Sequence, residues 1–389
     1  MTSSHDEDLM FFGESLSSVE EDVPKESFLQ KTKIDWKEKN YSLEADYDWE
    51  EKSVCICLFR NESLILYQPV ELNPGEMNMS LAEQVRAALQ REGDSLQAAF
   101  RLAHLVSKDG RFLNGLGLFF YSRNLWPEAE ELLSGAIQAR TDYSEAYQNL
   151  SRVYLKMGLP EKSVELLEQA VRLNPHFADL QNALGWVYLE CARHQDARRH
   201  LKSALELNPN YQEAHLNLCL SFLQVGEHST IDHNVPAPPE GVESLKRAAS
   251  QDPTLSHKIQ KISSWEDVSR QYLILKDKQS RRDTTNLRAE CELVYARFMK
   301  DRKNLPPEVL GSFVTRLEDK IKRGYNYADL RNYLGTFYLF WATYLAEQAQ
   351  NHLRNQAGAA EQKANTKHTL NNLQRIGKSL AEVCSKLET

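Results

Sequence analysis

The chain has 389 residues, with 47 Lys+Arg against 55 Asp+Glu, 41% apolar residues and 6 cysteines. A mean hydropathy of -0.56, and a longest nearly unbroken apolar run (Leu334 to Ala346) too short for a bilayer, exclude a membrane-spanning class. Scattered cysteines read as reduced thiols and point to a cytoplasmic protein, and the formal charge of -8 argues mildly against nucleic acid as the main partner.

That charge is concentrated at one end. Residues 1–51 hold fifteen acidic side chains against five lysines, a net charge of -10, while the remaining 338 residues carry +2. Residues 1–50 are therefore read as an acidic leader. Its first twenty residues are the opposite of a secretory signal in charge. Its first thirty have few apolar anchors beyond Met10, Phe11, Phe12, Val23, Phe28 and Leu29, too few to offset the entropy of ordering a chain. The alternative is that Leu9-Met10-Phe11-Phe12, set among acids, is a docking motif for a partner or for a groove of this same protein.

Residues 51–109 predict a β-hairpin followed by a helix. Ser53 to Phe59 and Leu64 to Tyr67 are β-branched and apolar runs around the polar Arg60-Asn61-Glu62, the pattern of two paired strands. Ser80 with Glu83 forms a capping-box signature, and Leu81, Val85 and Leu89 recur at helical spacing. A two-stranded hairpin is marginal alone, so it is expected to pack on that helix or on the helical array behind it.

From Gly110 the chain repeats itself every 34 residues. Asn174-Pro175-His176-Phe177 aligns with Asn208-Pro209-Asn210-Tyr211, and Leu150, Leu184 and Leu218 share the interval. Small residues recur at position 8 (Gly117, Ser151, Gly185, Cys219), position 20 (Ala129, Ser163, Ala197) and position 27 (Ala136, Ala170, Ala204, Ala248). They allow helices to approach closely. Pro175, Pro209 and Pro253 stop the second helix of a unit, because proline lacks the N–H and clashes with the preceding turn. One such unit cannot bury its own apolar stripe, so stacking is obligatory.

This pattern resembles the tetratricopeptide repeat. Four consecutive repeats are expected at 110–143, 144–177, 178–211 and 212–255. The last carries an insertion at about 228–240, where three prolines favour an exposed loop. Residues 256–323 are helical but off-consensus, with a basic stretch over 276–303 that reads as a long exposed helix or helical hairpin. Its interspersed acids suggest a solvated face; holding the acidic leader and binding nucleic acid are the other two readings. Residues 324–389 are read as a degenerate fifth repeat followed by a capping helix. The fold class is thus mostly α: a right-handed α-solenoid of tetratricopeptide type with a small N-terminal β-hairpin/helix element.

The sequence holds no phosphate-cradling glycine loop and no catalytic constellation. His215 and Cys219 lie four apart on a helix, as metal ligands can, yet Cys219 falls on a buried small-residue position. No cofactor, metal, membrane or small-molecule substrate is expected. What the resemblance implies instead is a concave groove, lined by positions 2, 5, 6, 9, 12 and 13 of the first helices, that holds a partner peptide. On this chain those positions give Tyr121, Asn149, Arg152, Lys156, Asn182, Trp186 and Asn217 as groove residues. Asparagine amides donate and accept at once, which suits a peptide backbone, and tyrosine and tryptophan anchor interfaces. The family's clamp for a C-terminal carboxylate is incomplete, since Asn114, Leu118, Asp179 and Ala183 stand where its polar or cationic members belong. The expected function is a non-catalytic interaction scaffold; the alternative is a regulatory or targeting subunit of an enzyme complex.

Overall fold

A computed structural model describes residues 31–36, 39–48, 52–73, 76–106, 108–228, 239–250, 265–281, 285–323 and 328–357. The first thirty residues of the leader, most of the insertion in the fourth repeat and the expected C-terminal capping helix lie outside the described residues.

The chain opens with an antiparallel four-stranded meander, β1 (Lys31–Trp36), β2 (Lys39–Asp48), β3 (Ser53–Arg60) and β4 (Ser63–Pro69), paired in that order. The hairpin expected at β3 and β4 is present. Asn61 and Glu62 between them both take positive φ (49° and 68°), as a two-residue turn matched to strand twist requires. Strands β1 and β2 correct the leader assignment, because residues 31–36 and 39–48 are sheet. Neither contains a continuous apolar run. Tyr41, Leu43 and Ala45 alternate with Ser42, Glu44 and Asp46, which is the pattern of a half-buried strand, and counting acids hides that alternation.

The apolar face of the sheet (Ile34, Tyr41, Leu43, Ile56, Leu58) is buried against the 25-residue helix α1 (Leu81–Leu105), which opens on the expected Ser80/Glu83 capping box. Tyr41 meets Phe100 of α1, and Phe100 meets Phe120, each pair with ring centroids 5.0 Å apart. The core therefore runs unbroken from the sheet into the repeats. One buried carboxylate ties the same joint. Glu128, with its side chain fully enclosed, accepts hydrogen bonds from Lys39 Nζ and the Tyr41 hydroxyl, each at 2.7 Å. Burial alone would raise its pKa; the bonds from Lys39 and Tyr41 overcome that and hold it low.

Four helical hairpins follow: α2 (Gly110–Ser122) with α3 (Trp126–Ala139), α4 (Ser144–Lys156) with α5 (Pro160–Leu173), α6 (Ala178–Glu190) with α7 (His194–Leu207), and α8 (Gln212–His228) with α9 (Pro239–Ala249). The first helix of each of the first three units ends the same way. Asn124, Gly158 and Ala192, 34 residues apart, take positive φ. The next residue's N–H (Leu125, Leu159, Arg193) then donates to the carbonyl five residues back, closing the helix end. The small residues do what their positions suggest. A Cβ on Gly185 would lie 2.6 Å from Leu201 Cγ, while Ser151 and Ser163 share a buried 2.7 Å hydrogen bond.

Beyond the insertion come α10 (Trp265–Arg281), α11 (Thr285–Lys300), a 3-10 turn at Arg302–Asn304, α12 (Pro307–Lys322) and α13 (Ala328–Ala357). Two expectations are corrected by these helices. Residues 328–357 form one continuous helix, not the helix–turn–helix of a fifth repeat. Nothing breaks the helix after Phe340, and continuing it packs Trp341 and Tyr344 onto the core shared with α12. Helix α11 is not an exposed basic helix: Ala289, Cys291, Leu293, Val294, Ala296 and Phe298 are buried.

Candidate functional site

The repeats leave a concave side, lined by α2, α4, α6 and α8. Over the first repeat that side is filled by the chain itself. Helix α11 lies along α2, where Tyr295 stacks on Phe112 with centroids 5.8 Å apart and Arg111 sits 4.5 Å from the Tyr295 ring. Arg288 reaches Glu145 at 2.7 Å. Gly115 is what permits this approach, because a Cβ there would lie 2.9 Å from Glu292 Cβ. Glu292 is itself buried and hydrogen-bonded to the Tyr333 hydroxyl; burial pushes its carboxyl above the usual range. At the far end α10 covers the fourth repeat: Val268, Tyr272 and Leu275 are buried with Leu216, Cys219, Leu223 and Leu245.

Between these two covers lies a cleft of about 510 Å³. Tyr121, Arg152, Lys156, Asn182 and Trp186 all line it, so five of the seven sequence-predicted residues come together. Arg152 and Lys156 are exposed, one turn apart on α4, and among the described residues neither forms an ion pair. Trp186 is half-buried, and Lys276 of α10 places its Nζ 5.1 Å from the indole ring, within cation–π range. Glu190 and Glu213 are the acids of the lining. Lys276 escapes sequence reasoning because it belongs to no repeat. Gln148 also lines the cleft and stands at position 5 of its repeat, a signal that was available.

Asn149 and Asn217 require correction, because they face into the array. Asn149 Nδ2 donates to Asn114 Oδ1, and Asn217 Nδ2 to Asn182 Oδ1, both at 3.0 Å and buried. Asn114 and Asn182 donate in turn to the hydroxyls of Tyr143 (3.3 Å) and Tyr211 (3.4 Å). Position 6 of one repeat thus meets position 5 of the repeat before it, 35 residues earlier. These clips join repeats one to two and three to four. At the central joint the corresponding residues are Gln148, Ala183 and Phe177, which cannot form the same triad, and the cleft opens there. Asn149→Ala is expected to lower stability by about 1–2 kcal/mol, the cost of a buried amide left unsatisfied. Urea midpoints check this; an unchanged midpoint would contradict the clip.

His215 and Cys219 are both buried, with His215 Nε2 at 2.9 Å from the Pro209 carbonyl. Among the described residues no three His, Cys, Asp or Glu side chains gather as a metal site, and no helix is long and apolar enough to cross a membrane.

Two tetratricopeptide-repeat family profiles match the chain, at residues 123–187 and 178–211. Among solved structures, MamA is 20% identical over 46% of this chain and 98% of its own, with a TM-score of 0.35. YrrB, described as a TPR protein with an unusual peptide-binding site, is 18% identical over 51% of this chain and 92% of its own, at 0.33. The first TPR of Spaghetti (RPAP3), bound to the HSP90 peptide SRMEEVD, is 19% identical over 32% of this chain and 98% of its own, at 0.29. No curated protein matches the chain.

Proposed function

We propose that this chain, a tetratricopeptide-repeat protein, is a non-catalytic scaffold that docks a short segment of a partner protein in the cleft over its second and third repeats. One observation carries the reading. The concave face is occupied by the chain's own helices at both ends and left open in the middle, where Arg152, Lys156 and Lys276 surround Tyr121 and Trp186. The ligand this lining suits is a short peptide with carboxylates beside a large apolar side chain. The cations attract and orient the acids, and the aromatic rings supply the buried contact on which interface affinity concentrates. The cleft is too short for a helix running the length of the array, which sets this site apart from a groove open end to end.

Peptides selected from a random library on the full-length protein test the reading. Trp186→Ala is expected to weaken their binding, read by fluorescence polarisation, about 10- to 100-fold, the range for removing a central aromatic anchor. Arg152→Glu with Lys156→Glu is expected to do the same and to flatten the salt dependence. Affinities that ignore all three changes would remove the cleft from consideration.

A further inference from the structure

We propose that the cleft has a resident occupant in the chain's own acidic segment Asp6–Phe12, which competes with partner segments for the same place. This rests on the cleft being the peptide site. It goes further, in making the site self-blocked until a partner displaces the segment.

The cleft lining sets three cations, Arg152, Lys156 and Lys276, against two acids, Glu190 and Glu213. Among the described residues Arg152 and Lys156 form no ion pair, and Lys276 is engaged with the Trp186 ring. Several cations elsewhere in the structure are taken up by acids instead. Arg60 and Lys39 converge on Glu128, Arg316 and Arg123 on Glu290, and Arg302 on Glu347. The cleft cations face Glu190 and Glu213 across the lining, so the cleft accepts acids without presenting a uniformly positive field. The first thirty residues hold eight acids and one lysine, the largest unmatched charge in the sequence. Within them Asp6-Glu7-Asp8 runs directly into Leu9-Met10-Phe11-Phe12. Three acids followed by an apolar quartet match three cations beside Tyr121, Leu155 and Trp186. Methionine and phenylalanine also pack favourably on aromatic rings.

Reach permits it. The segment joins the structure at Lys31, the first residue of β1. Eighteen residues lie between Phe12 and Lys31, and the nineteen Cα–Cα steps span up to about 60 Å when extended. The sheet contacts the first repeat through Glu128 on α3, and Tyr121 of that same repeat lines the cleft; a helix to be rounded is about 10 Å across. An occupant covalently attached to the protein has a high effective concentration at the site, so weak individual contacts suffice to hold it there.

The test uses the full chain with a photo-cross-linking benzoylphenylalanine in place of Phe11 or Phe12. Adducts are expected on α4 and α6 around Leu155 and Trp186. They should form within one molecule at a yield independent of dilution, and should fall about tenfold on combining Arg152→Glu, Lys156→Glu and Lys276→Glu. In parallel, Asp6→Asn/Glu7→Gln/Asp8→Asn is expected to raise the affinity for library-selected peptides about tenfold. Adducts elsewhere, adducts only between copies, or an unchanged peptide affinity would each overturn the proposal. The two readings fail separately. Selected peptides that bind the cleft while the leader substitutions change nothing remove the resident occupant alone. Peptides that never engage the cleft remove the docking function itself.

Discussion

Replacing Arg123 with leucine is expected to cost about 3–5 kcal/mol of stability, the range for stripping one partner from a buried ion pair. Arg123 is 3% exposed. It follows α2, stacks its guanidinium 4.7 Å from the Phe119 ring, and donates from both Nε and NH2 to the Glu92 carboxylate of α1. Its NH2 also lies 3.7 Å from Glu290 of α11, which Arg316 of α12 approaches in turn. One side chain thus joins the N-terminal sheet-and-helix unit, the first repeat and the C-terminal helices. Burial alone would raise the Glu92 pKa; the Arg123 guanidinium overcomes that and holds the carboxyl below its usual range.

This pairing sets the sign of the pH effect. In the parent protein, Glu92 has a lowered folded pKa, so it contributes stability that is present above the ordinary carboxylate range and lost as pH falls towards the folded pKa. Without Arg123, burial, which favours the protonated carboxyl, is opposed only by the weaker attraction of Arg91 and Arg316. The penalty is then full at neutral pH and vanishes once Glu92 is protonated in both states. The deficit of Arg123→Leu in urea denaturation is therefore expected to shrink between pH 7 and pH 4. Glu92→Leu added to Arg123→Leu is expected to recover most of it, since a well-packed apolar pair can replace a buried ionic one. A deficit independent of pH, or no recovery in the double variant, would refute the assignment.

The second large effect lies within the third repeat. Leu201→Ala is expected to cost about 3 kcal/mol, because a fully buried leucine is removed from a rigid site. Gly185→Ala alone is expected to cost about 1 kcal/mol despite the better helix propensity of alanine, because the new Cβ would stand 2.6 Å from Leu201 Cγ and 2.8 Å from its Cδ2. Together the two are expected to cost less than the sum by about 1–2 kcal/mol, since the added methyl enters space that the leucine side chain vacated. Additive costs would mean that position 8 and position 24 do not share the space their geometry implies. Urea midpoints with amide exchange across α6 and α7 supply the measurement.

That pair also shows why the repeats are readable and the site is only partly so. Gly185 and Leu201 lie sixteen residues apart and recur in register as Gly117 and Leu133. A contact so local, repeated every 34 residues, leaves a periodic trace. The left-handed helix ends at Asn124, Gly158 and Ala192 recur in the same register, although alanine at the third shows that packing can impose what residue type would not suggest. The asparagines left a trace as well: Asn114 with Asn149 and Asn182 with Asn217 are each 35 apart, the offset of stacked neighbours. Treating each amide as a lone groove donor missed the partner in the preceding repeat.

The opposite case is the sheet, where the acids of β2 signalled a leader while its alternation signalled a strand. Burial of Tyr41, Leu43 and Ala45 under α1 decided between them.

The four stacked hairpins, the hairpin of β3 and β4, and the residue types available to a concave face are all legible in the order of the residues. That is so because helix ends, close helix approach and strand alternation are set within tens of residues. Which part of that face is open depends on how distant helices pack across it. Helix α11 covers the first repeat through Glu292 against Gly115, and Lys276 arrives at Trp186 from outside the repeats. Such contacts join residues roughly 90 to 180 positions apart and occur once each. Periodicity cannot encode an event that happens once, so the cleft became visible only when the chain was folded back over its own repeats.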